Sequence, residues 1–240
     1  MSDSRINQAR TISPALIKAY RQAHYVVELP NSPIVIRVGQ VTPGLSKLMA
    51  NENVTTAAFL TAFNPYSEEF NHIDNELAQQ QLISDLSALK VSVIHGEGRD
   101  ANGNWPAELS LLALGISLQD AEILADRYGQ NAFVWIGNRD CVPNLRLRHP
   151  IAVPSKEDAQ QWIDLLPTQL KAGALTLSLT ELAWFMATPD IELDHWLNAA
   201  SRDLSSPWPL AGPDGSAMGV GTELDRVFRL IAAGIVGYSK

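Results

Sequence analysis

Residues 108–136, ELSLLALGISLQDAEILADRYGQNAFVWI, decide the fold. Glu108–Ile116 is an apolar run of strand length, and Ser117 stands where a helix N-cap belongs. LQDAEILADRYG follows, with Ile123, Leu124 and Tyr128 forming an apolar side. Gly129 supplies the stop, because glycine adopts the left-handed conformation that ends helices. Ala132–Ile136 then returns to strand character and reads as the last strand of the domain. The unit is β-α-β.

Working outward, Val91–Ile94 is a short strand running into the Gly-rich loop HGEGRDANGNWP. Ahead of it, Ser67 is placed to cap a helix that reaches about Lys90, with Glu68 and Glu69 in the first turn, where carboxylates suit the helix dipole. Phe70, Ile73 and Leu77, then Leu82, Leu86 and Leu89, give that helix its period. Thr55–Phe63 is an apolar strand stopped by Asn64-Pro65. The order is β-α-β-β-α-β, so the sequence predicts an α+β domain built on a ferredoxin-like sheet. An N-terminal helix at 14–24 and a hairpin of Tyr25–Leu29 and Ile34–Val38 around PNSP are added to it. An open three-layer α/β sheet is the alternative. The expected boundaries are a flexible stretch at 1–13, this domain at 14–150, and an all-α domain at 151–240.

Three strings, FLTAFNPYS, GEGRDANGNWPAELSLLALGIS and YGQNAFVW, occur in that order, and with them residues 15–147 resemble the bacterial family known as domain of unknown function 3293. The resemblance implies no particular activity.

The second part opens on two prolines in HPIAVPSK. Ser155 caps a helix KEDAQQWIDLL stopped at Pro167, and another helix is expected at 169–173. In LSLTELAWFMATPDIELDHWLN, Thr180 caps a helix, and an ATPD turn leads to a second one. Ala183, Met186, Ala187, Leu193 and Trp196 have the spacing of the phage-repressor-like helix-turn-helix, which this stretch, 178–198, resembles. Yet Asp190, Glu192 and Asp194 occupy the recognition positions, with no Lys or Arg between Leu182 and Asn198. Carboxylates facing polyphosphate repel, so the pair reads as a degenerate, protein-binding version. The tail, with a final helix from Thr222, loosely resembles the toxin-binding region of the Xre/MbcA/ParS antitoxins. Asp190, Glu192, Asp194, His195, Arg226 and Arg229 are its candidate partner-binding residues.

Charge supports that direction. The net charge of the 240 residues is −8. Residues 151–240 carry 6 Lys+Arg against 11 Asp+Glu, so extended nucleic-acid contact is unfavourable there. Cys141 is the single cysteine, which excludes an internal disulfide and fits a reducing compartment. No apolar run approaches the roughly 20 residues of a membrane span, and MSDSRINQARTIS has no signal-like apolar segment. A cytoplasmic protein is expected. The five histidines lack HxH or HxxxH spacing, so no metal site is expected, and the absence of GxxxxGK[ST] and GxGxxG implies no nucleotide cofactor loop.

Three polar clusters interrupt the apolar segments of the first domain. One is Asn64, Ser67, Asn71 and Asn75, at a strand end and helix start suited to an anion. Another is Gly96, Glu97, Gly98, Arg99 and Asp100, with Trp105 and Glu108 beyond it. The third is Gln130 and Asn131. Turn-and-cap chemistry explains the first better than a ligand does, and a solvated loop explains the second equally well. A carboxylate opening an apolar strand needs a partner or a raised pKa, and Arg99 is the candidate partner of Glu108. If the domain is catalytic, Glu108 or Glu97 is the candidate base, with Asn64, Arg99 and Gln130 orienting a small anionic or nucleotide-like ligand. No triad can be built around Ser67 or Ser110 without a histidine base.

The sequence therefore supports three readings. The first is a regulatory or interaction protein, antitoxin-like, with a protein partner or a homodimer formed through the C-terminal helices. The second is an enzyme or sensor for a small anionic ligand. The third, a DNA-binding regulator, is the least compatible with the charge.

Overall fold

The structure, a computed structural model, describes residues 10–188 apart from 102, 104, 138–140, 167–170, 172, 173 and 176. Helix α1 (Pro14–Gln22) is capped by the Ser13 hydroxyl, which accepts from the Leu16 N–H, and Pro14 fills the first turn, where a missing N–H costs nothing. The predicted hairpin follows as β1 (His24–Val27) and β2 (Ile34–Ile36). Helix α2 (Pro43–Asn51) was not legible in advance: it is short, and its opening Pro-Gly reads as a turn.

The core pattern comes next: β3 (Ala57–Leu60), α3 (His72–Ala88), β4 (Ser92–Arg99), β5 (Glu108–Leu114), α4 (Leu118–Arg127) and β6 (Ala132–Ile136). The β-α-β-β-α-β order thus holds, but within a larger sheet. Strand β7 (Asn144–Leu147) pairs with β6, so Ala132–Ile136 is not the last strand. Seven antiparallel strands lie in the order β2-β1-β4-β5-β3-β6-β7.

Strand parity sorts the core into two faces. Ala58, Leu60, Leu111, Ala113 and Phe133 point to one face and pack against Leu82 and Leu86 of α3 and Leu124 of α4. Val27, Phe59, Leu112, Leu114, Val134 and Ile136 point to the other and meet Leu45 and Met49 of α2. Each Val, Leu, Ile, Phe or Met among them, removed from water, contributes about 1.5–3 kcal/mol before entropy is counted. Asp85 ties the two outer helices together, accepting from Arg127 at 2.6 Å and Tyr128 at 2.8 Å.

Helices α5 (Lys156–Leu165) and α6 (Leu179–Met186) complete the described residues. Their Ile163, Leu182, Ala183 and Phe185 share one buried cluster with Ile12, Ile17 of α1 and Leu145 of β7. Ser155 caps α5 as expected. The cap of α6 is Ser178 rather than Thr180: Ser178 and Glu181 form a reciprocal capping box, which satisfies two N–H groups where Thr180 would satisfy one. The second helix of the helix-turn-helix, the terminal helix, the predicted helix around 169–173 and the candidate partner residues Asp190, Glu192, Asp194, His195, Arg226 and Arg229 lie outside the described residues or largely so.

Helix α3 corrects the sequence reading most sharply. Ser67 does not cap it. Asn71 does, its side chain accepting from the Asp74 N–H at 2.9 Å. Its inward face is Asn75, Gln79, Leu82 and Leu86, while Ile73 and Leu77 are 68% and 59% exposed. The physical reason lies at the end of β3. Beyond Leu60 the chain leaves the sheet, and its N–H groups at Ala62 and Asn64 need acceptors. Gln79 Oε1 takes the first at 2.9 Å and Asn75 Oδ1 the second at 2.8 Å. Similarly, Ile123 of α4 is exposed while Ala121, Leu124 and Ala125 are buried.

Candidate functional site

Sheet register builds the floor of a cavity. Tyr25 of β1 lies opposite Gly98 of β4, and Gly98 lies opposite Glu108 of β5. All three point to the same face, and at the middle position there is no side chain. A Cβ on Gly98 would have only the Ser110 hydroxyl nearby, at 3.9 Å. The gap is part of a cavity of about 440 Å³, a volume suited to a small molecule. Phe59 and Thr61 of the β3 segment, Ser110, and Ala132 and Val134 of β6 continue the floor. Leu16 and Tyr20 of α1 and Ala23 just after it cover it, and Arg99 and Trp105 stand on the β4–β5 side.

Gly96 and Gly98 look alike in sequence and differ in role. A Cβ on Gly96 would fall 2.2 Å from the Val26 carbonyl and 3.1 Å from the Phe59 ring. Gly96 therefore permits close strand packing, and only Gly98 opens space toward a ligand. Both lie within β4, not in the loop the sequence suggested, because β1 and β5 pair with them from either side.

The rim opposite Gly98 is held in an unusual backbone. Asn64, Tyr66 and Ser67 have φ of 47°, 61° and 60°, left-handed values that non-glycine residues seldom adopt. Such positions cost roughly 1–3 kcal/mol each and persist where surrounding contacts enforce them. Those contacts are visible. The Tyr66 N–H donates to the Gly129 carbonyl at 2.6 Å, and Asn64 Oδ1 accepts from the Phe70 N–H at 3.0 Å and from Asn75 Nδ2 at 2.9 Å. Ser67 Oγ is 2.5 Å from the Tyr20 hydroxyl and accepts from Asn131 Nδ2 at 3.2 Å.

This network fixes what Glu108 meets. The Asn64 N–H must be a donor, so Asn75 turns its oxygen toward it and its NH₂ toward Asn64 Oδ1. Asn64 is thereby left with its own NH₂ facing Glu108, donating to Oε1 at 2.6 Å. Burial pushes the Glu108 carboxyl above its ordinary value, and the Asn64 bond pulls it back only in part. Arg99 is not its partner. Glu97 and Arg99 are two apart on β4 and pair with each other. Glu97 does not line the cavity and is engaged by Arg99, so Glu108 alone of the two candidate bases faces it. Burial likewise raises the Tyr20 phenol above its ordinary value.

Of the residues singled out from sequence, Asn64, Ser67, Gly98, Arg99, Trp105, Glu108 and Gln130 line the cavity together. Asn75 and Asn131 stand one contact behind it, holding Asn64 and Ser67. Gly96 and Glu97 do not line it. Gln130 donates to the Phe63 carbonyl at 3.0 Å, so its NH₂ secures the strand end. Sequence reasoning missed Tyr20, Tyr25, Phe59, Thr61 and Ser110. Strand parity offered a signal for two of them, since Ser110 is two residues from Glu108 and Thr61 two from Phe59. The α1 contribution had none. Ser67 and Ser110 have no histidine among their hydrogen-bond partners, and among the described residues no three His, Cys, Asp or Glu side chains are placed to hold a metal. No described helix is long and apolar enough to cross a membrane.

Fold and site together define an α+β protein whose antiparallel sheet floors a small-molecule-sized cavity roofed by its first helix. Residues 60–133 match the family described as Protein of unknown function (DUF3293). That span runs from the end of β3 into β6 and contains Asn64, Asn75, Gly98, Glu108 and Asn131. It does not reach the residues on which the helix-turn-helix and antitoxin resemblances rest. No curated protein and no solved structure matches the chain.

Proposed function

We propose that the chain is a small-molecule-binding protein and that its site is the cavity between α1 and the sheet. The observation that carries this reading is Glu108: a half-buried carboxyl lining the cavity, with one amide bond and no ion pair among the described residues. A carboxylate in that position costs stability unless something compensates it, and a bound molecule is the natural compensator. The strained rim at 64–67 supports the same reading, since a fold retains such conformations where the geometry of a site needs them. If the site is catalytic, Glu108 is its base, because a carboxylate whose pKa is raised is the stronger base.

Local charge argues against an anionic ligand. Glu69 and Glu108 both line the cavity, and Arg99 is engaged by Glu97. The regulatory, partner-binding reading rests on residues from Asp190 onward, outside the described residues, whereas the ligand reading rests on assembled geometry.

The test is a native mass spectrum of the protein purified from its own host. The wild type should retain a small molecule, and Gly98→Val, which fills the gap, should not. A Gly98→Val protein that keeps the same adduct, or a wild type that carries none, would overturn the assignment.

A further inference from the structure

Counting donors and acceptors around the cavity points to one ligand chemistry. Several donors on its walls are engaged with the protein, while the Trp105 indole N–H, the remaining Arg99 N–H groups and the second Asn64 amide proton have no partner among the described residues. Asn64 Nδ2 donates to Glu108, Gln130 Nε2 to the Phe63 and Tyr128 carbonyls, and the Ser110 hydroxyl to the Glu108 carbonyl. The Thr61 hydroxyl donates to the Leu109 carbonyl at 2.7 Å, and the Tyr25 hydroxyl to the Tyr20 carbonyl at 2.7 Å. Between Tyr20 and Ser67 one hydroxyl proton is shared and one is left over.

Acceptors are open as well. Glu108 Oε2 and Gln130 Oε1 have no hydrogen-bond partner among the described residues. The Ser110 hydroxyl accepts nothing from them either. Open acceptors beside Glu108, with the Arg99 charge met by Glu97, favour a ligand that brings N–H donors and a positive charge. Tyr25, Phe59 and Trp105 are among the aromatic side chains that line it, and aromatic rings attract a cation to their faces. Tyr25 and Phe59 stand edge to face, 5.4 Å between centroids.

We infer that the cavity takes a compact organic amine, its ammonium group against Glu108 and its carbon body against the aromatic wall. This rests on the cavity being a ligand site and goes further by naming the ligand's charge and head group.

The experiment compares three probes of nearly equal shape: phenethylammonium, 2-phenylethanol and phenylacetate. Binding to the full chain is measured by calorimetry and by the rise in melting temperature. The amine should bind best. Glu108→Gln should weaken it at least about tenfold, the loss expected when a charge-assisted contact becomes a neutral one, and leave the alcohol nearly unchanged. Gly98→Val should abolish binding of every probe. If the alcohol or the acid binds as well as the amine, and Gly98→Val removes it, the amine assignment falls and the pocket stands. If binding survives Gly98→Val, the pocket falls too. An amine that binds no better to wild type than to Glu108→Gln, or does not bind, also overturns the inference.

Discussion

At Glu108, burial and a single amide bond compete, and burial wins, so the folded protein holds this proton more tightly than the unfolded chain does. The sign of the pH effect follows. Below the ordinary carboxyl value of 4.5 both states are protonated and the contribution to stability is fully present. As pH rises through the raised folded value, the contribution is lost. Glu108→Gln removes this slope while its carbonyl still accepts from Asn64. Denaturant titrations should therefore show the variant gaining on wild type from about pH 4.5 upward, with the two parallel once the folded carboxyl is ionised. Curves that stay parallel throughout would mean that Glu108 is solvated as a free carboxylate is. The same residue thus costs stability and offers a binding contact, the usual trade at a site.

At the scale of a single strand, β4 carries two glycines of opposite meaning. Gly98→Ala should raise stability by roughly 0.5–1 kcal/mol, because its Cβ meets nothing closer than 3.9 Å and the strand loses a flexible unfolded-state residue. Gly96→Ala should lower it by about 1–3 kcal/mol, since the sheet must shift to relieve the contact with the Val26 carbonyl. Chemical denaturation of the two variants decides this, and equal effects would contradict the register. Helix α3 teaches a related lesson. Its apolar residues Ile73 and Leu77 look outward, and its polar Asn75 and Gln79 look inward. The inward pair serves backbone N–H groups at the strand end, and one of its atoms, Gln79 Nε2, is itself left without a partner. Leaving a buried N–H unsatisfied costs about 1–3 kcal/mol, as much as burying one additional leucine would gain there.

At the scale of the whole molecule, α1 joins two regions. Leu16 and Tyr20 line the cavity, and both also pack on the cluster formed by Ile17, Ala183 and Phe185. Leu145 belongs to both as well. Anything that loosens α5 or α6 is therefore felt at the cavity roof. Ile17→Ala, at a fully buried position, should cost about 2–5 kcal/mol in global stability. It should also weaken amine binding although Ile17 does not line the cavity. A variant with the stability loss and unchanged affinity would show that the roof is held by β1 and the sheet alone. By linkage, a bound ligand should in turn stabilise the packing of α5 and α6.

The sequence by itself determined the order β-α-β-β-α-β, because hydrophobic period and cap chemistry are local: Ser117, Gly129 and Ser155 act on their own turns. It also carried most of the rim and floor, since Asn64, Glu108 and Gln130 stand out as polar groups at the ends of apolar runs. Only the tertiary structure decided which residues meet. That Glu97 is engaged by Arg99 while Glu108 faces the cavity depends on strand pairing with β1 and β3, which no local pattern specifies. That Asn75 is an inward-facing acceptor depends on an N–H eleven residues earlier in the chain. And Tyr20, more than forty residues from Ser67, became part of the site because α1 packs across the sheet. Such contacts are set by non-local packing, where side-chain shape and unpaired backbone groups outweigh local preference.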